Sequence, residues 1–297
     1  MEKLYKILLI LLILIGIDYS LSKSNFPINS KSYLMGFDRF IKIAEQTVGQ
    51  KRIVLVGGSS LGWGVSAERL TETLGILTLN SGIHAGVGYR NFIRNIRGVI
   101  DRENDLLIIS PEYLVGSRDA EFIRSDEFCE IALYVRRTYP FDCIGYSLTK
   151  MAKIVGTIDR ENGDYRRNGF NRFGDYVHRT PGIDMIDQFS EEDLCFENGI
   201  DNLKKEYIPY IKKLEAEGFR FIYIPNFTPS SACNNSAILN DFHNALHRNF
   251  GVVSFESPQL LFDEGYFYNS SYHLTDEGVA LKTMIFQEQL KSYISQK

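Results

Sequence analysis

The sequence predicts an α/β protein in which a central parallel sheet lies between two layers of helices, a three-layer sandwich. Short apolar runs such as Ile53–Val56 and Asp105–Ile109 lack polar alternation, which is typical of strands buried on both faces. Helical patterns separate these runs, and parallel strands need such crossover connections. At 297 residues and 44% hydrophobic residues, the chain is long enough to bury a full core.

The first half of the predicted domain alternates regularly. A helix over Phe37–Val48 leads into the strand Ile53–Val56, and Gly57-Gly58-Ser59-Ser60 ends that strand sharply. The elements that follow are a helix near 67–74, a strand over 76–80, a helix over 89–100 and a strand over 105–109.

Regular patterns stop at about residue 113 and return at about residue 200. We interpret 113–200 as an irregular insertion that forms a lid or wall over the sheet edge. Its arginines are interleaved with aromatic residues, and such a mixture can bind sugars or anionic groups. A solvated surface loop is the alternative. The elements predicted after it are a helix over 202–217, a strand over 219–224, a helix over 236–249, a strand over 252–255 and an amphipathic helix over 275–295.

The N-terminus has the pattern of an exported or anchored protein. Lys3 and Lys6 precede an unbroken apolar run from Ile7 to Ile17, and Asp18 closes it. Lysines ahead of such a run favour a cytoplasmic N-terminus with the bulk of the chain on the far side of the membrane. We therefore expect 1–22 to be a membrane anchor or signal segment, 23–36 a linker, and 37–297 the α/β domain. A cytosolic protein with a buried N-terminal helix is the alternative.

Charge and cysteine spacing exclude some classes of partner. The net charge is −4 with no long run of one sign, so nucleic acid is not an expected partner. Cys129, Cys143, Cys195 and Cys233 lie far apart with no C-x-x-C pair, which argues against a zinc site. No metal or organic cofactor is implied. Outside the cytoplasm these cysteines would form one or two disulfides, and three pairings are open.

Two separated stretches predict a nucleophile and its base. Ser59 stands where the first strand ends, and ligands bind at the carboxyl ends of parallel strands. His273 stands in a loop two residues before Thr275, the predicted N-cap of the last helix. Such a histidine can reach over the same sheet edge as Ser59 and take its proton. Ser60 is the alternative nucleophile.

Four blocks of the sequence, in order, resemble those of the SGNH (GDSL-type) hydrolases. Ile53–Ser59 resembles the first block, with Gly58 where the family usually has Asp, and Asn80–Gly86 looks like the second. Ile108–Tyr113 lies where the third should be, and Tyr268–Leu274 looks like the last. The resemblance implies a flavodoxin-like sandwich, Ser59 as nucleophile, His273 as base, and an oxyanion hole that includes Gly82 or Gly86, with help from Asn80.

Two positions depart from the family pattern. Glu112 stands where the family has an oxyanion-binding Asn, and a carboxylate cannot stabilise a developing negative charge. The acid that precedes the histidine is replaced by Asn269 or Ser270, and Asn orients an imidazole without stabilising its charge. Glu112, Asp263 or Asp276 could supply the missing charge from elsewhere in the chain.

The resemblance is closest to membrane-anchored SGNH-like proteins of bacterial envelopes. It implies a serine esterase or O-acyltransferase that acts on acyl esters of a cell-envelope glycan or polysaccharide outside the cytoplasm. A non-catalytic SGNH-like module that binds glycan, or a partner in a polysaccharide modification or export complex, is the alternative. A cytosolic esterase is a third interpretation.

Overall fold

The computed structural model of the protein describes a parallel sheet, helices that cover it and much of the last third of the chain. The described residues are 2–23, 37–83, 93–94, 96–110, 143–144, 169–177, 203–224, 226–230, 240–241, 244–245, 248, 251–252 and 261–295.

The strands form one parallel sheet and two small two-stranded sheets. The strands are β1 (Arg52–Val56), β2 (Leu77–Asn80), β3 (Asp105–Ile109), β4 (Phe221–Tyr223), β5 (Thr228–Pro229), β6 (Gly251–Val252), β7 (Leu261–Phe262), β8 (Phe267–Ser270) and β9 (His273–Leu274). Strands β2-β1-β3-β4 are parallel neighbours in that order, and the two residues of β6 extend the sheet beyond β4. This is the strand order of flavodoxin-like doubly wound folds.

All five residues of β1 are buried, so both faces of the sheet are covered. Its apolar run predicted this, because a strand in the middle of a parallel sheet meets side chains on both faces. Ile53 and Leu55 point to one face, where they join a core cluster with Leu70, Phe286 and Leu290 from the covering helices. The arrangement is α/β and compatible with the expected three-layer sandwich.

The helices are α1 (Glu2–Lys23), α2 (Phe37–Gln46), α3 (Ser59–Gly62), α4 (Ala67–Leu74), α5 (Ile208–Ala216) and α6 (Asp276–Ser295). The prediction for α4 is confirmed at both ends. The Ser66 hydroxyl accepts a hydrogen bond from Arg69 N–H at its start, and Gly75 ends it in the left-handed region (φ 66°). A side chain at Gly75 would be strained there.

The other predicted elements agree with the structure in part. Residues 203–207 form a π-helical turn before α5, because Pro209 has no N–H to donate back into a regular first turn. The strand predicted over 219–224 is shorter, and the helix predicted over 89–100 ends in a 3₁₀ turn at Arg97–Val99. Most of the helix predicted over 236–249 and residues 253–255 lie outside the described residues.

The N-terminal helix α1 carries exposed apolar side chains along the run that predicted an anchor, from Ile7 to Ile17. Within the described ranges, we find no helix both long enough and apolar enough to cross a membrane.

Cys143 is disulfide-bonded, so the expectation of at least one disulfide is confirmed. Its partner is one of the other three cysteines, all of which lie outside the described residues, and the pairing stays open.

Candidate active site

Polar residues end each of the four main strands at the same edge of the sheet. Ser59 follows β1, Asn80 ends β2, Ser110 follows β3, and Asn226 lies three residues beyond β4. The chain runs from β1 to β2 on one side, whereas β3 pairs on the other side of β1, so Ser59 stands at the topological switch point. Ligands of open α/β sheets bind in the crevice at such a point. The carboxyl edge of the sheet is therefore the candidate site.

The serines lie in α3, a single buried helical turn that follows β1, which we call the serine turn (Ser59–Gly62). Both serines are buried residues, and the Ser60 hydroxyl oxygen itself is fully buried. A nucleophile has to meet the ester carbonyl, so this geometry favours Ser59 over Ser60.

Two side chains from other elements hold the carbonyl oxygens of the serine turn. Asn80 Nδ2 donates to Leu61 O at 3.0 Å, and Lys282 Nζ, from α6, donates to Ser60 O at 3.0 Å. Lys282 is 1% exposed, and its ammonium also donates to Asn226 Oδ1 at 2.9 Å. A buried ammonium needs such partners to offset its lost hydration. Lys282 thus joins α6, the serine turn and the end of β4.

The candidate oxyanion donors Asn80 and Gly82 are directed at each other. Gly82 N–H donates to Asn80 Oδ1 at 3.0 Å, and Asn80 Nδ2 is directed at acceptors in the serine turn, at Val65 O (3.3 Å) and at Asp175 Oδ1 (3.0 Å). Their predicted role in binding an oxyanion requires these bonds to be exchanged. Gly86, the other candidate donor, lies outside the described residues.

The loop after β2 lies directly against the serine turn. A Cβ atom at Gly82 would stand 2.5 Å from Gly62 N, and one at Gly62 would stand 2.5 Å from Gly82 O. Neither position has room for a side chain, so the two glycines allow the backbones to touch. The contact joins the serine turn to Gly82 of the second sequence block.

His273 begins β9, which pairs antiparallel with β8 opposite Ser270. The Ser270 hydroxyl accepts hydrogen bonds from the N–H groups of Tyr272 (3.3 Å) and His273 (3.1 Å), which fixes the turn between the strands. Strand β9 contacts both α3 and α6. The His273 ring stacks on Trp63, the residue after the serine turn, with ring centroids 4.7 Å apart. The structure therefore brings together the two stretches that the sequence separates by more than two hundred residues.

The His273 ring is held by its stack on Trp63, and a working dyad requires the Ser59 hydroxyl to come within hydrogen-bond reach of that ring. Hydrogen bonds between a nucleophile and its base are often long or misaligned before substrate binds and tighten in the complex. The serine turn and the strand that begins with His273 contact each other in one crevice.

The candidate acids have other structural roles or lie outside the described residues. Asp263 is exposed and accepts a hydrogen bond from Gly265 N–H at 2.8 Å, which caps the 3₁₀ turn Glu264–Tyr266. Asp276 is exposed in the first turn of α6, where a carboxylate favours the helix dipole. Asn269 lies in β8, and its side chain and all of Glu112 are outside the described residues.

Asp175 is a buried carboxylate of the site that the sequence patterns did not single out. It accepts hydrogen bonds from Ala67 N–H (2.8 Å), Glu68 N–H (3.1 Å), Asn80 Nδ2 (3.0 Å) and Asn171 Nδ2 (3.1 Å). Burial raises the pKa of Asp175 above its ordinary value of 3.8, and these donors act in the opposite direction. Asp175 thereby ties the start of α4 to the end of β2, directly behind the site.

Residues 169–177 of the predicted insertion form a wall of the site. Asn80 N–H donates to Phe173 O (2.7 Å), and Tyr176 N–H donates to Gly62 O (2.9 Å). Gly174, at φ 88°, lies so close to Asn80 O that an added Cβ would be 2.0 Å from it. The run Asn171–Asp175, with its glycine between polar turn residues, was the signal in the sequence for a tight turn here.

Comparison of the chain with protein-family models, curated proteins and solved structures finds no match.

Proposed function

We propose that this chain is an SGNH-like serine esterase or O-acyltransferase that acts on acyl esters of an extracytoplasmic glycan or cell-envelope polysaccharide. The observation that carries the proposal is the position of Ser59 at the switch point of the sheet, with the His273 ring stacked over the residue that follows the same turn. The strand order is that of the flavodoxin-like folds, to which the SGNH resemblance also points.

The proposed reaction has two steps. Ser59 Oγ attacks the ester carbonyl carbon while His273 accepts its proton; the C–O bond to the alcohol then breaks, and the alcohol leaves with that proton. Water, or a sugar hydroxyl in a transferase, next attacks the acyl-enzyme, with His273 again moving the proton. The developing oxyanion needs nearby backbone N–H donors, which are those of Ser59 and of Gly82 or Gly86.

The location outside the cytoplasm, with α1 as its membrane attachment, is part of the proposal. Support comes from the disulfide at Cys143, because disulfides persist in oxidising compartments and are rare in the cytosol. The exposed apolar side chains of α1 supply a second argument, since such a surface is costly in water.

The test is covalent labelling of the purified full-length protein with a fluorophosphonate probe, alongside hydrolysis of p-nitrophenyl acetate. We expect labelling of the wild type, loss of labelling in Ser59→Ala, and retained labelling in the matched variant Ser60→Ala. Labelling of Ser59→Ala at the wild-type rate would disprove the nucleophile assignment.

A second candidate function is the non-catalytic module that binds a glycan or a partner in a polysaccharide modification or export complex. It is favoured by the donors of Asn80 and Gly82, which are already bonded to acceptors within the protein. No labelling of the wild type, combined with glycan binding in a calorimetric titration, would favour this function over the enzyme.

A further inference from the structure

Trp63 joins the two halves of the candidate site. Its backbone N–H donates to Ser59 O at 2.8 Å, so it is bonded to the residue that carries the proposed nucleophile. Its indole lies nearly parallel to the His273 imidazole, with 13° between the planes and 4.7 Å between the ring centroids. One residue therefore contacts both the backbone of the serine and the ring of the histidine.

The indole of Trp63 is itself held in place. It is 1% exposed and stacks on Tyr176 with ring centroids 4.2 Å apart and on Tyr268 at 5.9 Å. Phe170 packs against the edge of Tyr176 at 4.9 Å, which completes a buried aromatic cluster. Aromatic rings in such a cluster have little freedom to move. An imidazole that lies flat against this indole is restricted to rotation within its own plane.

The stack also acts on the charge of the histidine. The face of an indole carries partial negative charge and attracts a cation placed over it. His273 is 7% exposed, so water screens this attraction weakly. In a serine-histidine mechanism the proton of the serine moves onto this ring, and a buried acid commonly orients the ring and stabilises its charge. In this chain Asn269 and Ser270 stand where the SGNH pattern has that acid.

We propose that Trp63 is the positioning residue of His273: its indole fixes the plane of the imidazole and stabilises the protonated ring. The catalytic consequence rests on the proposed function, whereas the stack itself does not. The titratable and charged groups of β8, of α6 and of the turns that flank β8 and β9 are Glu264, Tyr266, Tyr268, Tyr272, Asp276, Glu277, Lys282, Glu288, Lys291 and Tyr293.

The first test uses the fluorescence of the protein. Trp63 is the single tryptophan of the 297 residues, so intrinsic tryptophan emission reports the surroundings of this one indole, and the His273 variant isolates the contribution of the imidazole. A protonated imidazole quenches a stacked indole by accepting an electron. We expect emission of the full-length protein to fall as the pH is lowered from about pH 8 to about pH 5, where histidine titrates. His273→Gln should remove this change, and the matched variant Ser59→Ala should retain it. An unchanged pH dependence in His273→Gln would overturn the proposal.

The second test is the pH profile of fluorophosphonate labelling in Trp63→Leu and Trp63→Phe. Labelling requires a neutral His273, and loss of the indole face disfavours the protonated ring. We therefore expect the midpoint of the rising limb in Trp63→Leu to move to lower pH by roughly 0.5 to 1 unit, with maximal labelling slowed about tenfold. Trp63→Phe keeps an aromatic face and should shift less.

A purely structural role would lower labelling equally at every pH without moving the midpoint, and that result in both variants would overturn the proposal. Circular dichroism checks that the variants fold, and Trp63→Phe carries the comparison if Trp63→Leu does not. A wild type that is not labelled, but whose emission titrates through His273, would support the stack and reject the proposed esterase.

Discussion

Both ends of the central sheet carry buried polar and charged side chains, but their hydrogen bonds are arranged differently. At the amino end, Arg52 of β1 and Asp105 of β3 form a fully buried bidentate ion pair, with N–O distances of 2.7 and 2.6 Å. The remaining N–H groups of Arg52 donate to Ala44 O, Thr47 Oγ1 and Val99 O, so all five guanidinium donors have acceptors. At the carboxyl end, the buried side chains of Lys282 and Asn80 donate to backbone carbonyl oxygens of the serine turn, and the His273 ring stacks on Trp63 beside that turn.

The buried ion pair at the amino end stabilises the fold, whereas the polar residues at the carboxyl end belong to the candidate site. Every donor of Arg52 has an acceptor within the protein. The ion pair therefore links α2 to β1 and β3. At the carboxyl end, the buried side chains donate hydrogen bonds to the backbone of the serine turn and hold it in place. Substitutions at one end should therefore act mainly on stability, and substitutions at the other should also act on the serine turn.

The largest effect on folding should come from Asp105→Ala at the amino end. Removing the carboxylate leaves the Arg52 guanidinium buried without its counter-ion, which costs about 3–5 kcal/mol of unfolding free energy. Urea unfolding measures this loss, and labelling per folded molecule should stay unchanged. Glu215→Ala, which breaks the surface pair with Lys212, is the matched control and should cost less than about 1 kcal/mol. Equal losses in the two variants would contradict the contrast between a buried and an exposed pair.

A smaller loss of stability, with a larger effect on reactivity, should follow from Lys282→Met at the carboxyl end. Ser60 O and Asn226 Oδ1 then lose a buried donor, which costs about 1–3 kcal/mol. The serine turn loosens, so we expect the rate of fluorophosphonate labelling to fall about tenfold. Lys291→Met, at an exposed position of the same helix, should change stability by less than about 0.5 kcal/mol and leave labelling unchanged. Labelling of Lys282→Met at the wild-type rate would show that Lys282 does not position the turn.

The smallest effect should be a change in how stability depends on pH. Burial raises the pKa of Asp175, so the folded protein keeps a proton that the unfolded chain has lost, and this contribution to stability disappears as pH rises through the folded pKa. Asp175→Asn cannot ionise. We therefore expect the unfolding free energy of the wild type to fall, relative to that of Asp175→Asn, as the pH is raised from about pH 4 to about pH 8.

Asp101, near the amino end, is the control with the opposite sign. Its pKa is lowered, first by the hydrogen bond from the Asn104 side chain and then by the N–H of Glu103. Its contribution is present above the ordinary value of 3.8 and is lost as pH falls through the folded pKa. The unfolding free energy of the wild type should therefore rise, relative to that of Asp101→Asn, as the pH is raised. Parallel behaviour of the two variants in urea titrations would contradict the assigned directions.

The elements that local patterns predicted best are those whose signals are complete within a few residues. Helix α4 has its cap at Ser66 and its stop at Gly75, and β3 has an uninterrupted apolar run, so their bounds were predicted as the structure has them. The small sheets β5–β7 and β8–β9 were not predicted, because strands of two to four residues depend on their partner for nearly all of their hydrogen bonds. The irregular start of α5 arises from one proline inside an otherwise helical pattern.

The residues of the candidate site also fall into those that local patterns indicated and those that they did not. Ser59 and His273 could be singled out because each stands at a recognisable boundary between elements. Lys282 looked like an ordinary lysine of an amphipathic helix, and Asp175 looked like one charge in an irregular segment. Their burial, and therefore their importance, arises only when α6 and residues 169–177 pack against the serine turn.

By itself the sequence determined an α/β chain with parallel strands, a glycine-serine turn after the first strand and a histidine before the last helix, because periodicity and turn chemistry are local. Only the tertiary structure decided that Trp63 lies against His273, that Lys282 holds Ser60 O, and that Gly82 and Asn80 bond each other. Contacts between residues far apart in the chain depend on how whole elements pack, and no local pattern encodes that geometry.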